Sequence, residues 1–587
     1  MRGSQFLFAF SFSQLLFAQD LIQVKTTNGT IQGGKCPSTS ASQFLAIPYA
    51  QPPIGDLRFQ PPQPYNGSYN GTLNATTATP SCIQFGKQFL ESGPQSEDCL
   101  LLDIWVPPNT SPNSGLPVKF WVYGGSGTAG GISDPLYSGC NLATDAVVVS
   151  VNYRLGPLGF LALESAGVQG NMAIQDVIMA LEWVQSNIAA FGGDPKKVVL
   201  FGQSAGAALS FMISTLPNAP SLMNAMIGES GAGRSYLPTN SSAVQEFGAQ
   251  WAKNLGCSAS DLSCIQSKSA SAMNSSYPKS DLGLTASNNA IVTGFGYTYD
   301  GKIVPGNPAE VGAQVPVIFG HTTMEATLDI LGGLNFPPSV EDYSKFLNTT
   351  FGSYASTVNK TYSLDKFKST PFPVFYAMVE VYTDYAYSCP TYRGLLKAAE
   401  NKQPAYTYIW GKEPSCPWYS AIPSDPQILQ LLNATHTSEI PFVFGQVDDL
   451  PLPNGTCSFS SYEKALSADV VAAWTSMAAN GNPNGKNSKI NWPEFSAKSS
   501  MGLNVGNNSV TAGTVDYTRC QFWDAIDQGI TNSTSNTSIF GSSSSSSGSS
   551  STTSSAPAAT SSSGSSGMYV VSGLAWSGMA AAFLLGV

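Results

Sequence analysis

Compact apolar runs alternate with stretches of helical period along most of this chain. Residues 117–123, 146–153, 197–201, 225–228, 316–320 and 405–410 each place apolar side chains on consecutive positions, as strands buried on both faces do. Between two of them, Ile174, Val177, Ile178, Leu181, Val184 and Ile188 fall on one face of a predicted helix that Gly192-Gly193 closes. Residues 205–216, rich in Ala, Leu and Met, predict a second helix. Residues 21–33, centred on Asn28-Gly29, predict an N-terminal hairpin. The alternation predicts an α/β fold with one large, mostly parallel, twisted central sheet and helices on both faces. It continues to about residue 525.

The pattern breaks at both ends. Arg2, apolar residues 6–17 and the abrupt change at Ala18-Gln19 predict a secretory signal peptide over residues 1–18. The folded body is expected over residues 19–530. Residues 531–567 are dominated by Ser, Thr, Gly and Ala and carry no charge, so they predict a flexible, O-glycosylated stalk. The apolar tail 568–587 then reads as a GPI-attachment signal, removed on anchoring. A tail-anchoring transmembrane helix is the alternative. Arg519 is the last basic residue, and Ser572, Gly573, Ser577 and Gly578 interrupt the tail, which favours the lipid anchor. Ten cysteines and fourteen N-x-S/T sequons, among them Asn28, Asn70, Asn348 and Asn433, fit an exported, disulfide-bonded glycoprotein on the outer face of the membrane or in the cell wall.

Composition narrows the chemistry. A net charge of −10 with unclustered Lys and Arg argues against nucleic acid as a partner. With two histidines and no C-x-x-C pair no metal site is expected, and no phosphate loop or dinucleotide fingerprint points to a cofactor.

Gly202-Gln203-Ser204-Ala205-Gly206 stands between a predicted strand and a predicted helix. Glycines two residues either side of a serine let strand and helix approach closely, and the turn lifts the hydroxyl above the sheet edge. The helix N-terminus behind it favours negative charge. A serine nucleophile needs an imidazole, and the candidates are His321 and His436. His321 lies four residues before Glu325 on what reads as one loop, so His436 is the better placed base and His321 a loop or surface residue. Glu325 and Asp329 compete as the acid. Three predicted strands end at reactive positions, namely Gly124-Gly125-Ser126, Ser204 and residues 320–325, where sheets of this class carry their sites.

These residues resemble the type-B carboxylesterase and cholinesterase family of the α/β-hydrolase superfamily over residues 24–523. Phe191-Gly192-Gly193-Asp194-Pro195 leading to Ser204 is similar to its serine signature, and Glu97-Asp98-Cys99-Leu100 with Leu102-Asp103-Ile104 to its second signature. Asn152-Tyr153-Arg154-Leu155-Gly156, Gly170-Asn171, Asn482-Pro483-Asn484 and Trp492-Pro493 follow in the family's order. The resemblance implies Ser204 as nucleophile, Glu325 as acid and His436 as base, in the α/β-hydrolase order. It implies an oxyanion hole from the amides of Gly125, Ser126 and Ala205, with Ser126 where the family has a third glycine. Gln203 stands where a glutamate is usual, and Ser230 resembles a serine that supports the triad or packs the strand end. Cys82–Cys99, Cys257–Cys264 and Cys389–Cys520 match family disulfides; elimination leaves Cys36 with Cys140 and Cys416 with Cys457. Arg58 and Glu97 resemble a structural ion pair.

The segment between Cys82 and Cys99 lacks the tryptophan with which cholinesterases hold a quaternary ammonium, and is too short for a lipase lid. With the neutral Gln203, this implies a carboxylesterase for modest-sized, uncharged esters. The alternatives are a catalytically silent, cholinesterase-like surface adhesion protein and a lipase acting on acylglycerols.

Overall fold

The computed structural model describes residues 22–534, apart from residues 70, 86–92, 278–294, 334–335, 423–425 and 487–488. The expected signal peptide, the stalk beyond residue 534 and the C-terminal tail lie outside the described residues.

A 13-stranded sheet runs through the protein. Its strands are β1 (Ile22–Thr26), β2 (Gly29–Lys35), β3 (Ser42–Pro48), β4 (Thr72–Asn74), β5 (Leu101–Val106), β6 (Leu116–Val122), β7 (Val147–Val151), β8 (Gly193–Gln203), β9 (Ala225–Glu229), β10 (Val317–Thr322), β11 (Ala405–Trp410), β12 (Met501–Val505) and β13 (Val510–Thr514). The order is β1-β2-β3-β5-β7-β6-β8-β9-β10-β11-β12-β13, with β4 on β2. From β7 to β12 every pairing is parallel, while the two margins are antiparallel apart from the parallel pair of β4 with β2. The predicted hairpin is the β1–β2 pair, with Thr26 opposite Gly29. All five side chains of β7 are buried, which is why its sequence, Val-Val-Val-Ser-Val, shows no alternation.

Seven helices frame the site: α1 (Met172–Asn187), α2 (Ala205–Ser214), α3 (Pro373–Thr383), α4 (Cys389–Glu400), α5 (Ile440–Phe444), α6 (Ser461–Asn480) and α7 (Cys520–Thr534). Helix α1 passes into a short 3-10 turn that ends at Gly192, whose φ of 87° is left-handed, as the Gly-Gly stop predicts. Trp121 on β6, fully buried, packs against Phe201 of β8 and Phe444 of α5, both with ring centroids 4.9 Å away, and ties sheet to helix layer.

Chain order reverses between β6 and β8, since β6 is followed outward by β7 while β8 leads on to β9. The loops leaving the carboxyl ends of β6 and β8 therefore diverge and leave a crevice between them. Register aligns the strand ends: Val122 pairs with Gly202, Gln203 with Glu229, and Glu229 with Gly320.

All ten cysteines are paired, as Cys36–Cys140, Cys82–Cys99, Cys257–Cys264, Cys389–Cys520 and Cys416–Cys457. Arg58 holds Glu97 through two guanidinium nitrogens and also donates to the carbonyls of Gln266 and Lys268. Among the described residues no helix is long and apolar enough to cross a membrane.

Candidate active site

Ser204 follows β8 directly and caps α2 with φ 55° and ψ −124°, a conformation that non-glycine residues hold only under constraint from their surroundings. Its amide donates to the Glu229 carbonyl at 2.8 Å. Close packing beneath the turn requires Gly206, where a Cβ would stand 2.1 Å from the Val122 carbonyl oxygen. The strain and the glycine together lift the Ser204 side chain out of the sheet.

Beside it, the loop after β6 turns back through Gly125 at φ 99°, where a Cβ would meet the Ala129 carbonyl at 2.3 Å. Ser126 also has positive φ, 58°, and carries its Cβ there. Among the described residues, the amides of Gly125, Ser126 and Ala205 donate to no protein acceptor. They are unspent donors near Ser204, two on the loop and one at the head of α2.

His436 and Glu325 come from the loops before α5 and after β10. Nδ1 of His436 lies 2.5 Å from Glu325 Oε2. Glu325 Oε1 accepts from the Ser230 hydroxyl and the Thr322 amide, each at 2.6 Å. Burial alone would raise the Glu325 carboxyl, but His436, Ser230 and Thr322 outweigh it and hold it below its ordinary value. Asp329, the competing acid, makes no hydrogen bond to the imidazole among the described residues, and burial pushes its carboxyl up. His436 Nε2 stands 3.1 Å from the side-chain nitrogen of Gln203. The same amide nitrogen is 3.4 Å from Nδ1, so it lies over the face of the ring and not along the Nε2 lone pair. No hydrogen bond joins Ser204 Oγ to the ring among the described residues. Trp418 Nε1 donates to Thr437 Oγ1 at 2.9 Å and fixes the residue after the histidine.

His321 departs from its expected place on a loop or at the surface. Strand β10 extends through it to Thr322, it is 4% exposed, and Nδ1 lies 2.9 Å from the Thr322 carbonyl. Burial lowers its basicity. The pairing Gly320–Tyr408 continues through His321–Ile409, so β11 rather than loop chemistry sets its position.

Four further side chains border the site without having stood out in the sequence. Tyr387 packs its ring 5.1 Å from that of His436. Arg234, just beyond Ser230, holds its guanidinium 4.8 Å from the centre of the Tyr387 ring. Glu229 and Glu439 form a buried acidic pair, with Trp474 Nε1 donating to Glu229 at 3.0 Å. Burial raises both carboxyls, and Glu229 and Glu325 further disfavour charge on Glu439. Only tertiary packing brings these groups together, though glutamate in so apolar a context as Ile227-Gly228-Glu229 was an available signal. Among the described residues no group of His, Cys, Asp or Glu is arranged to hold a metal ion.

A parallel sheet with a serine elbow at its reversal point, followed in the chain by acid and histidine loops, defines the α/β-hydrolase fold. Within that class the chain belongs to the carboxylesterase family, whose profile matches residues 20–523. It is 30% identical to a cholinesterase of Mus musculus over 539 residues, 85% of this chain and 86% of that protein. It is also 30% identical to a para-nitrobenzyl esterase of Bacillus subtilis over 482 residues, 79% of this chain and 92% of that protein. A bile salt-activated lipase of Bos taurus is 29% identical over 539 residues, 84% of this chain and 85% of that protein.

Proposed function

We propose that the protein is a serine carboxylesterase of the cell exterior that cleaves modest-sized esters lacking positive charge. Ser204 Oγ attacks the ester carbonyl while His436 Nε2 takes its proton and Glu325 stabilises the resulting imidazolium. The tetrahedral oxyanion collects hydrogen bonds from Gly125, Ser126 and Ala205, each such donor being worth about 10²–10³ in rate. The alcohol leaves with the proton from His436, and water repeats the sequence on the acyl-enzyme.

The observation that carries this reading is the 2.5 Å contact of His436 with Glu325 beside a serine held at φ 55°. A fluorophosphonate probe tests it. The labelled peptide should contain Ser204, and Ser204→Ala should remove the label; labelling at another residue would overturn the assignment. A series of p-nitrophenyl esters then ranks acyl length. Activity that jumps above the solubility limit of a triglyceride would favour the lipase reading. An adhesion role draws on Ser126 and Gln203, and absence of any labelling would favour it. Export and a GPI anchor complete the proposal, and phosphatidylinositol-specific phospholipase C should release the protein from cells.

A further inference from the structure

Arg234 is 8% exposed, and among the described residues no carboxylate forms an ion pair with it. Its Nε has no acceptor, and Tyr387 holds the rest of the guanidinium through its ring and a side-chain hydrogen bond. Two residues on, Tyr236 is 6% exposed and its hydroxyl also lacks a partner. A guanidinium out of water without a counter-ion is costly, and buried donors in folded proteins are nearly always satisfied. These two leftover donors, two residues apart in the chain, call for an acceptor that the described residues do not supply.

Their location says what that acceptor serves. Tyr387 connects Arg234 to the His436 ring. Tyr236 packs 5.8 Å from Tyr297, whose hydroxyl donates to the Ala205 carbonyl at 2.7 Å. The loop bearing Arg234 runs directly behind the nucleophile, because a Cβ on Gly231 would stand 2.1 Å from the Ser204 carbonyl oxygen. Of the acids around it, Glu325 is already bound by His436, Ser230 and Thr322, and burial pushes the Asp329 carboxyl up although Arg234 and His436 both favour its anion. At the position next to the nucleophile, Gln203 adds no competing negative charge.

We propose that Arg234 and Tyr236 form a carboxylate-binding subsite, and that the preferred substrates are monoesters carrying a free carboxylate a few bonds from the ester group. The inference rests on the serine-esterase reading and extends its substrate class from uncharged to anionic esters. The guanidinium presents a planar fork of N–H donors suited to a carboxylate, with the tyrosine hydroxyl as an additional donor. A substrate lacking the carboxylate leaves both groups unpaired, which is the arrangement that discriminates most strongly between analogues.

Binding to the full-length Ser204→Ala protein, which cannot turn over ester, separates this subsite from the catalytic reading. Calorimetry with monomethyl glutarate and 4-acetoxybutanoate places the carboxylate on the acyl or the alcohol side, and methyl hexanoate is the uncharged comparison. One of the two acids should bind about ten- to a hundredfold tighter than methyl hexanoate. Arg234→Met should remove that preference, and Tyr236→Phe should weaken it severalfold. Arg234→Lys, which keeps the charge but not the fork, should fall between and guards against misfolding of the methionine variant. Equal binding of all three esters, or a preference that survives Arg234→Met, would overturn the subsite and mark Arg234 as a structural cation held by Tyr387. Failure of the wild-type protein to cleave any ester would instead count against Ser204 as nucleophile and leave the binding result intact.

Discussion

The side-chain amide nitrogen of Gln203 lies over the imidazole ring of His436, 3.1 Å from Nε2 and 3.4 Å from Nδ1. Glutamine at this position therefore acts on the base as well as on the charge of the pocket.

Gln203→Glu should change both. A carboxylate beside the ring favours the imidazolium, so the acid limb of the kcat/KM profile should move to higher pH. Selectivity for a choline ester over its uncharged isostere should rise about tenfold at low salt and shrink as salt is added. Equal kinetics for the two esters in the variant would remove Gln203 as a determinant of charge preference.

Ser230→Ala should lower kcat/KM about tenfold, the usual scale for losing one hydrogen bond to a charged group. Because that bond favours the Glu325 carboxylate, its loss should raise the Glu325 carboxyl and shift the acid limb upward. A drop in rate with an unmoved pH profile would make Ser230 a packing residue only.

Stability should decline on the alkaline side. Burial raises Glu229 to about 8 and Asp103 to about 7, against hydrogen bonds that lower each. Groups raised on folding stabilise fully below their ordinary values, and that contribution is lost as pH rises through the folded ones. The thermal midpoint should thus fall between about pH 5 and about pH 9. Glu229→Gln should flatten the decline, and an unchanged slope would contradict the assignment.

Removing the Cys416–Cys457 bridge should cost about 2–4 kcal/mol, since it closes a segment with sequence separation 41 that contains His436. Paired Cys→Ala substitutions with a thermal melt measure this. Activity at low temperature should survive, because Trp418 still donates to Thr437.

Sequon use should be uneven. Asn28 Nδ2 already donates to the Tyr65 and Gly67 carbonyls at 2.8 and 3.0 Å, so a glycan there would break both bonds. Glycopeptide mapping should find Asn28 unmodified.

The central strands were legible because burial on both faces leaves continuous apolar runs, and Ala405–Trp410 matches its predicted limits. Strand β8 begins earlier than residues 197–201 because Asp194, Lys196 and Lys197 make its solvent end polar. Beyond the β1–β2 hairpin the margins were not legible. Ser42–Pro48 and Met501–Val505 mix small, polar and apolar residues, and their neighbours in the sheet rather than their own pattern make them strands. At the site, motif order pointed to Ser204, Glu325 and His436, yet nothing local marked Arg234 or Tyr387. Arg234 on a loop reads as solvated until its burial is known.

Cys520 opens α7 and is bonded to Cys389, which follows Tyr387 by two residues. Any pull on the chain beyond Thr534 thus enters the body through a covalent link beside the wall of the catalytic crevice. A tether attached there would transmit mechanical load to the ring that backs the histidine, not to a remote corner of the fold.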